Sequence, residues 1–138
     1  MGSIARYTQL QCTTFIRTTV LFNQANIAAG IVAGHIPNGA RISGIDVCVD
    51  VAQNAGTTNT VSVGTIPETN GVLSTVPASQ SNLVSAAAAG TIGITKTTPT
   101  GANFNATTDL AVIVSLAQTG TAATAGQVTV IVTYYPNL

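Results

Sequence analysis

The sequence predicts an all-β protein, and three features carry that prediction. Short runs rich in Val, Ile, Thr and aromatic residues recur along the 138 residues, and such residues suit the pleated, half-buried surface of a sheet. Turns rich in Gly, Pro, Asn and Thr separate the runs, and no helical pattern alternates with them. The expected fold is one domain, residues 1–138, forming a β-sandwich or a jelly roll of about eight antiparallel strands.

These runs and the turns between them define the expected strands. In the turn "IPNGAR", Pro37 presets one backbone angle and Asn38-Gly39 supplies positive φ. The next strand alternates, so that Ile45 to Val51 place every second side chain in the core, and a β-bulge at Gly44 brings Ile42 into phase. The last two strands are apolar on both faces, as in strands central to a sandwich or covered by a partner. The expected strands are 12–22, 26–36, 42–51, 59–65, 71–76, 91–97, 109–117 and 126–135.

One segment has helical character. Residues 79–90, "SQSNLVSAAAAG", are rich in alanine, which favours helix, and a serine precedes the run as a cap. Gly90 follows as a stop signal. A helical turn is therefore expected there.

Charge is scarce in this sequence. Charged residues make up 6% of the chain with no net charge, against about 25% in ordinary soluble domains. Nucleic acid is excluded as a partner because its binding needs clustered Lys and Arg, and an anionic membrane surface is excluded likewise. The longest apolar stretch, 110–117, is far shorter than the roughly 20 residues of a membrane-spanning helix. The 23 threonines predict a hydroxyl-rich surface whose contacts are insensitive to salt.

His35 and two nearby carboxylates mark the place where catalysis or metal binding would be expected. Asp46 and Asp50 share a strand face but lie four residues apart, roughly 13 Å, which is too far for an acid–base pair. His35 has no nucleophile motif such as GxSxG in its company, and is expected at a strand end, bonded to backbone or water. No catalytic residue, metal site or cofactor is expected, and the chain is not expected to be an enzyme.

The cysteines and the other carboxylates are expected to have no catalytic or metal-binding role. Cys12 and Cys48 are expected to be free thiols in preference to one bridge between paired strands, and there is no CxxC motif. Glu68, in the loop "IPETNG", and Asp109, at the start of a strand, are expected to be solvated carboxylates. Residues 1–11 have no signal-peptide core, so synthesis in the cytoplasm is expected.

The C-terminal sequence "LAVIVSLAQTGTAATAGQVTVIVTYYPNL" resembles the end of capsid cement or decoration proteins of tailed phages, which have a jelly-roll fold. In both, a Thr-Ala-Gly turn, here Thr124-Ala125-Gly126, leads into a valine-rich strand that ends in tyrosine, here Tyr134. The segment "GHIPNGARISGIDVCVDV" (34–51) is similar to a turn and strand of the same proteins. The resemblance spans about residues 28–135.

This resemblance implies a structural role in a virion. A protein of this kind binds the outer surface of an icosahedral head, ties neighbouring major capsid protein subunits together, and stabilises the shell against packaged DNA. The implied partners are the major capsid protein and a second copy of the chain, with a dimer favoured over a trimer. Residues 1–11 are expected to form an extended arm. The expected interface residues are Arg6, Tyr7, Arg17, Phe104, Tyr134 and Tyr135.

Two other classes of protein compete with this reading. The first is a carbohydrate- or receptor-binding sandwich of a phage fibre, for which "GANFNATTD" (101–109) is the nearest candidate loop. The second is a metal enzyme of cupin-like architecture, which needs two or three histidine ligands for its metal. A single histidine disfavours the second class.

Overall fold

A computed structural model describes residues 13–136 of the chain. Within that range it shows nine strands and one short 3₁₀ helix, Gly101–Phe104. The strands are β1 (Thr14–Leu21), β2 (Ile31–Ile36), β3 (Arg41–Val51), β4 (Thr58–Thr69), β5 (Val72–Leu73), β6 (Val84–Ala88), β7 (Gly93–Thr97), β8 (Leu110–Thr119) and β9 (Gln127–Tyr135).

The strands form two antiparallel sheets that pack face to face. Sheet A has the order β1-β9-β3-β7, and sheet B has the order β2-β8-β4-β5 with β6 also paired to β4. The first four strands alternate between the two sheets, and the first strand lies beside the last. This is the jelly-roll arrangement, so the predicted fold class is confirmed.

The core fills the space between the sheets with branched aliphatic side chains. Each fully buried side chain of this size contributes about 1.5–3 kcal/mol through the hydrophobic effect, and β-branched residues fit the pleated strands that carry them. The largest fully buried side chains are Val20, Ile36, Ile45, Val47, Val61, Val63, Val112, Ile113, Val114, Val128, Val130 and Val132.

Strand β3 shows how far the alternation pattern holds. Its pairing with β9 shifts between Ile42 and Gly44, and both Ile42 and Ile45 are buried, which confirms the predicted bulge. A second shift follows between Val49 and Val51. Val51 therefore lies opposite Gln127 on the outer face and is exposed, so its predicted core position was wrong.

The helical turn expected at residues 79–90 is also wrong. Residues Val84–Ala88 form β6, which pairs with β4, and the Ala89 amide donates to the Asn59 carbonyl at 2.9 Å. Helix propensity is a weak preference that tertiary contacts override. Here the edge of β4 supplies the backbone partners that a helix would have supplied.

Several strand bounds differ from the expected ones. Residues 26–30 form a turn in which Asn26 has φ +63° and the Gly30 amide donates to the Asn26 carbonyl. Strand β4 continues to Thr69, whereas residues 74–76 leave the sheet. The hairpin between β4 and β5 turns at Asn70-Gly71, where both residues have positive φ, as a tight hairpin turn requires.

Residues 74–83, here called the covering segment, run across the outer face of sheet B. The Ser79 hydroxyl bonds the Ser115 hydroxyl at 2.8 Å, and Asn82 accepts from the Thr65 amide at 2.8 Å. A second apolar cluster of Ile66, Ala111 and Ile113 is buried in this part of sheet B. Sheet B is apolar on both faces because its inner face packs against sheet A and its outer face lies under the covering segment.

Candidate interaction surface

Within residues 13–136, no segment covers the outer face of sheet A, whereas the covering segment lies on that of sheet B. Alternation in β1 directs Phe15, Arg17, Thr19 and Leu21 outward. Pairing carries this face across the other strands, to Ile131 and Thr129 of β9, Asp46 and Cys48 of β3, and Ile94 and Lys96 of β7. We call this surface the open face.

Several apolar side chains on the open face are exposed. Phe15 is 62% exposed, Leu21 47% and Ile94 64%, and they lie on the two edge strands of the sheet. Single apolar residues on a surface are normal, whereas apolar residues that share one sheet face make that face a candidate contact surface. The open face is therefore the strongest candidate for an interface among the described residues.

Polar groups of the open face are largely paired with one another. Lys96 Nζ donates to Asp46 Oδ2 at 2.9 Å. The Thr129 hydroxyl donates to Asp50 Oδ2 at 2.6 Å and also bonds the Thr19 hydroxyl at 2.9 Å. These internal pairs lower the cost of removing the face from water, because a buried polar group is costly chiefly when it has no partner.

An aromatic cluster lies at one end of the open face. Arg41 of β3 pairs with Tyr135 of β9, and its guanidinium lies 5.6 Å from the ring centre of Phe104 in the 3₁₀ helix. A cation over an aromatic ring at this distance is attracted by the ring's quadrupole. The three side chains, called the aromatic end, form an exposed patch.

The predicted interface residues fall in different places. Arg17 lies on the open face and is exposed, and Tyr135 and Phe104 belong to the aromatic end. Tyr134 packs partly buried against the core, on the opposite side of β9 from Tyr135. Arg6 and Tyr7, with the expected arm 1–11, lie outside the described residues.

Phe15, Leu21 and Ile94 were not anticipated as interface residues. Strict alternation in "TFIRTTVL" placed Phe15 and Leu21 on one face, but the sequence did not indicate which face is covered. These three residues could have been found from the sequence only if the order in which the strands pair had been known.

His35 and Glu68 form a pair that the sequence did not predict. His35 Nδ1 lies 2.9 Å from Glu68 Oε2, and the Glu68 side chain is only 5% exposed. Glu68 was expected to be solvated in a loop, which is wrong because β4 continues through Pro67 and carries Glu68 in the strand. His35 lies at the end of β2, as expected, but the partner of its Nδ1 is a side chain and not the backbone.

The surroundings of this pair do not form a catalytic relay. His35, Glu68 and Asp109 line an open cavity of about 340 Å³. Asp109 is exposed and accepts from the Asn38 amide at 2.8 Å. Among residues 13–136, the His35 side chain bonds to a carboxylate, whereas a nucleophile relay needs a hydroxyl or thiol beside the base.

Replacement of His35 by alanine is expected to destabilise the fold by about 1–3 kcal/mol, because it leaves a buried carboxylate oxygen of Glu68 without its donor. His35→Asn is the matched control, since its amide can donate from nearly the same position. Urea unfolding of the three proteins measures the effect. Equal midpoints for His35→Ala and wild type would contradict the assigned role.

Cys48 carries a free thiol on the open face, as predicted, whereas Cys12 lies outside the described residues. Burial raises the pKa of the Cys48 thiol, and the carboxylates of Asp46 and Asp50 raise it further. Lys96 and Arg17 oppose that shift. Because only the thiolate is nucleophilic, Cys48 is expected to be weakly reactive.

Alkylation by iodoacetamide tests this expectation. In a Cys12→Ser variant, Cys48 is expected to react more slowly in the folded protein than in urea at the same pH. The sign follows from the raised pKa. The contribution of the Cys48 thiol to folding stability is fully present below pH 9.0, the pKa of the thiol in the unfolded chain. It is lost as the pH rises through the higher pKa of the folded protein. Equal rates in the two states would contradict a raised pKa.

Neither a metal site nor a membrane span emerges from the described part of the chain. In residues 13–136 there is no group of three or more His, Cys, Asp or Glu side chains that could hold a metal ion. In the same range, no helix is long and apolar enough to cross a membrane.

Comparisons with known proteins identify the fold but not a sequence family. No family model matches the chain, and no curated protein matches significantly. Three solved structures do match, each over nearly the whole chain. A chain of the capsid of Ralstonia phage GP4 has a TM-score of 0.63 at 22% identity, covering 92% of this chain and 86% of that one.

The other two matches are also capsid structures. A chain of the cyanophage Pam1 capsid asymmetric unit has a TM-score of 0.61 at 21% identity, with coverage of 92% and 86%. A chain of the acid-stable capsid of Helicobacter pylori bacteriophage KHP30 has a TM-score of 0.62 at 15% identity, with coverage of 91% and 90%. The chain therefore has a fold that is found in the capsids of three phages.

Proposed function

We propose that this chain is a structural virion protein, a cement protein of a phage head. It binds the outer surface of the icosahedral shell and ties neighbouring major capsid protein subunits together. The observation that carries the proposal is the shared fold, because chains of three phage capsids match this one over most of both lengths. The role is mechanical, and no catalysis or cofactor is involved.

The open face supports this proposal as the surface that lies against the shell. Its exposed Phe15, Leu21 and Ile94 gain free energy when they leave water. Its four charged side chains, Arg17, Asp46, Asp50 and Lys96, carry no net charge together, and the Asp46–Lys96 pair is already formed. A contact of this kind depends on slow dissociation more than on electrostatic steering.

The open face alone is smaller than a standard interface. Four strands spaced about 4.8 Å apart and about eight residues long present roughly 500 Å², whereas a stable complex buries about 800 Å² on each partner. The proposal assigns the remaining area to the aromatic end and to the arm 1–11. The arm lies outside the described residues.

Stabilisation of the shell follows from mass action. A protein that binds the assembled lattice and not the separate subunits lowers the free energy of the lattice by RT ln(1 + [L]/Kd) for each site, where [L] is its free concentration. Many copies bridging adjacent subunits would therefore oppose the internal pressure of packaged DNA. The proposed location is the outer surface of the virion, after synthesis in the host cytoplasm.

Co-sedimentation tests the proposal. Purified protein is mixed with empty head shells and, separately, with unassembled major capsid protein, at low and at high salt. We expect saturable binding to shells alone, at a fixed ratio to the capsid protein and with little dependence on salt. Absence of binding to shells would overturn the proposal. Binding to glycans would then support the alternative, a carbohydrate- or receptor-binding sandwich of a phage fibre.

A further inference from the structure

The edges of the two sheets differ in how they are protected. Unpaired strand edges invite other chains, and proteins block them with short strands, bulges or lysines. Strand β7 is five residues long and carries Lys96, and β5 has two residues. Strand β2 has a bulge between Val32 and Gly34, and β6 contains Ala86 at φ +50°. Each of these edges is unsuited to regular pairing.

Strand β1 has none of these protections. Its eight residues, "TFIRTTVL", contain no Gly, Pro or Lys, and they pair with β9 without any register shift. Strand β1 is at the end of the order of sheet A, so one of its edges has no strand beside it in the described chain. Its β-branched and aromatic residues suit a further strand.

The pairing with β9 shows which backbone groups face this free edge. The Phe22 amide donates to the Gly126 carbonyl at 3.1 Å, directly after the last pair of the ladder. Because backbone hydrogen bonds alternate along an antiparallel strand, the even-numbered residues of β1 bond to β9. The amides and carbonyls of the odd-numbered residues point outward: Phe15, Arg17, Thr19 and Leu21.

We propose that β1 pairs antiparallel with β1 of a second copy of this chain, about a two-fold axis at Thr18. The choice of axis follows from the side chains. An axis at Arg17 would place two guanidinium groups opposite each other, and an axis at Thr19 would place Arg17 opposite Leu21. An axis at Thr18 matches apolar with apolar, Phe15 opposite Leu21 and Ile16 opposite Val20, and gives about eight backbone hydrogen bonds.

This pairing joins two copies of sheet A into one continuous eight-stranded sheet. The two-fold axis of an antiparallel pair is perpendicular to the sheet, so the open faces of both copies look in the same direction. The absence of net charge on the chain leaves little repulsion between copies. The inference stands on the edge of β1 and does not depend on the proposed role in a phage head.

Analytical ultracentrifugation of the full chain tests the pairing. We expect wild-type protein to sediment as a dimer and Arg17→Pro as a monomer, because proline removes an amide that faces the free edge. Arg17→Thr is the matched control, since it removes the charge but keeps the amide, and it should remain dimeric. A monomeric wild type, or a trimer, would overturn the proposal.

A disulfide trap tests the axis without relying on the proline variant. In a Cys12→Ser/Cys48→Ser background, Thr18→Cys places two thiols at a non-hydrogen-bonded pair, where Cα atoms lie about 4.5 Å apart and within disulfide reach. Mild oxidation should link most of this variant into covalent dimers. Thr14→Cys, on the same side of β1, should stay largely uncrosslinked. Equal linking of the two variants would contradict the Thr18 axis.

Discussion

Replacement of Ile94 by aspartate is expected to weaken binding to head shells by about 30-fold or more, the size of a hot-spot loss of at least 2 kcal/mol. Ile94 lies on the open face, opposite Cys48, and is 64% exposed. Its contact with the shell would bury an apolar side chain, whereas the aspartate would bring an unpaired charge into the interface. Co-sedimentation at increasing protein concentration gives the two dissociation constants.

Val72→Asp is the control for this measurement. Val72 is 68% exposed and also lies in a short edge strand, but β5 belongs to sheet B. The Val72→Asp protein should therefore bind shells as tightly as wild type. Its unfolding temperature should be similar to that of Ile94→Asp. If Val72→Asp lost as much affinity as Ile94→Asp, the open face would not be the surface that lies on the shell.

Gly64→Ala is expected to destabilise the fold by about 1–3 kcal/mol through overpacking. A Cβ at Gly64 would clash with the Asn82 Oδ1 and the Gln80 Cβ, and would lie 2.8 Å from the Gln80 carbonyl carbon. The backbone of the covering segment would have to move away from β4, and the apolar cluster around Ile113 would lose part of its cover. Urea unfolding measures the loss, and dye binding reports the exposed apolar surface.

Gly44→Ala is the matched control for Gly64→Ala. A Cβ at Gly44 would meet the Thr97 carbonyl oxygen at 3.7 Å, an ordinary contact. This variant should be as stable as wild type within a few tenths of a kcal/mol, since surface substitutions in open space change stability little. Equal stability of both variants would show that the covering segment is not pressed against β4.

The alternation of apolar and polar residues was sufficient to predict most of the fold. The alternation in β3 and the phase defect at Gly44 predicted a bulge that the pairing with β9 confirms. The same reasoning was wrong at Val51, because a second bulge leaves no phase defect that is visible in the sequence. The helical turn predicted at residues 79–90 was wrong because alanine propensity is local, whereas the residues of β4 that pair with β6 lie more than 20 positions away in the chain.

The candidate surface was less accessible from the sequence. Alternation showed that Phe15 and Leu21 share a face. Only the path of the covering segment shows that, among residues 13–136, the outer face of sheet B is covered and that of sheet A is not. Glu68 was misplaced for a related reason: Pro67 reads as a strand terminator, yet it pairs opposite Leu110 within β4. Pairing between distant segments decided these features.

The proposed cement function is tested most directly by the temperature at which filled heads release their DNA. Heads assembled without this chain are heated with and without added purified protein, and release is followed by a DNA-binding dye. The account predicts that the added protein raises the release temperature until its sites on the shell are saturated, and that Ile94→Asp at the same concentration does so far less. An unchanged release temperature at full occupancy of the shell would contradict the account, because binding would then occur without stabilising the lattice.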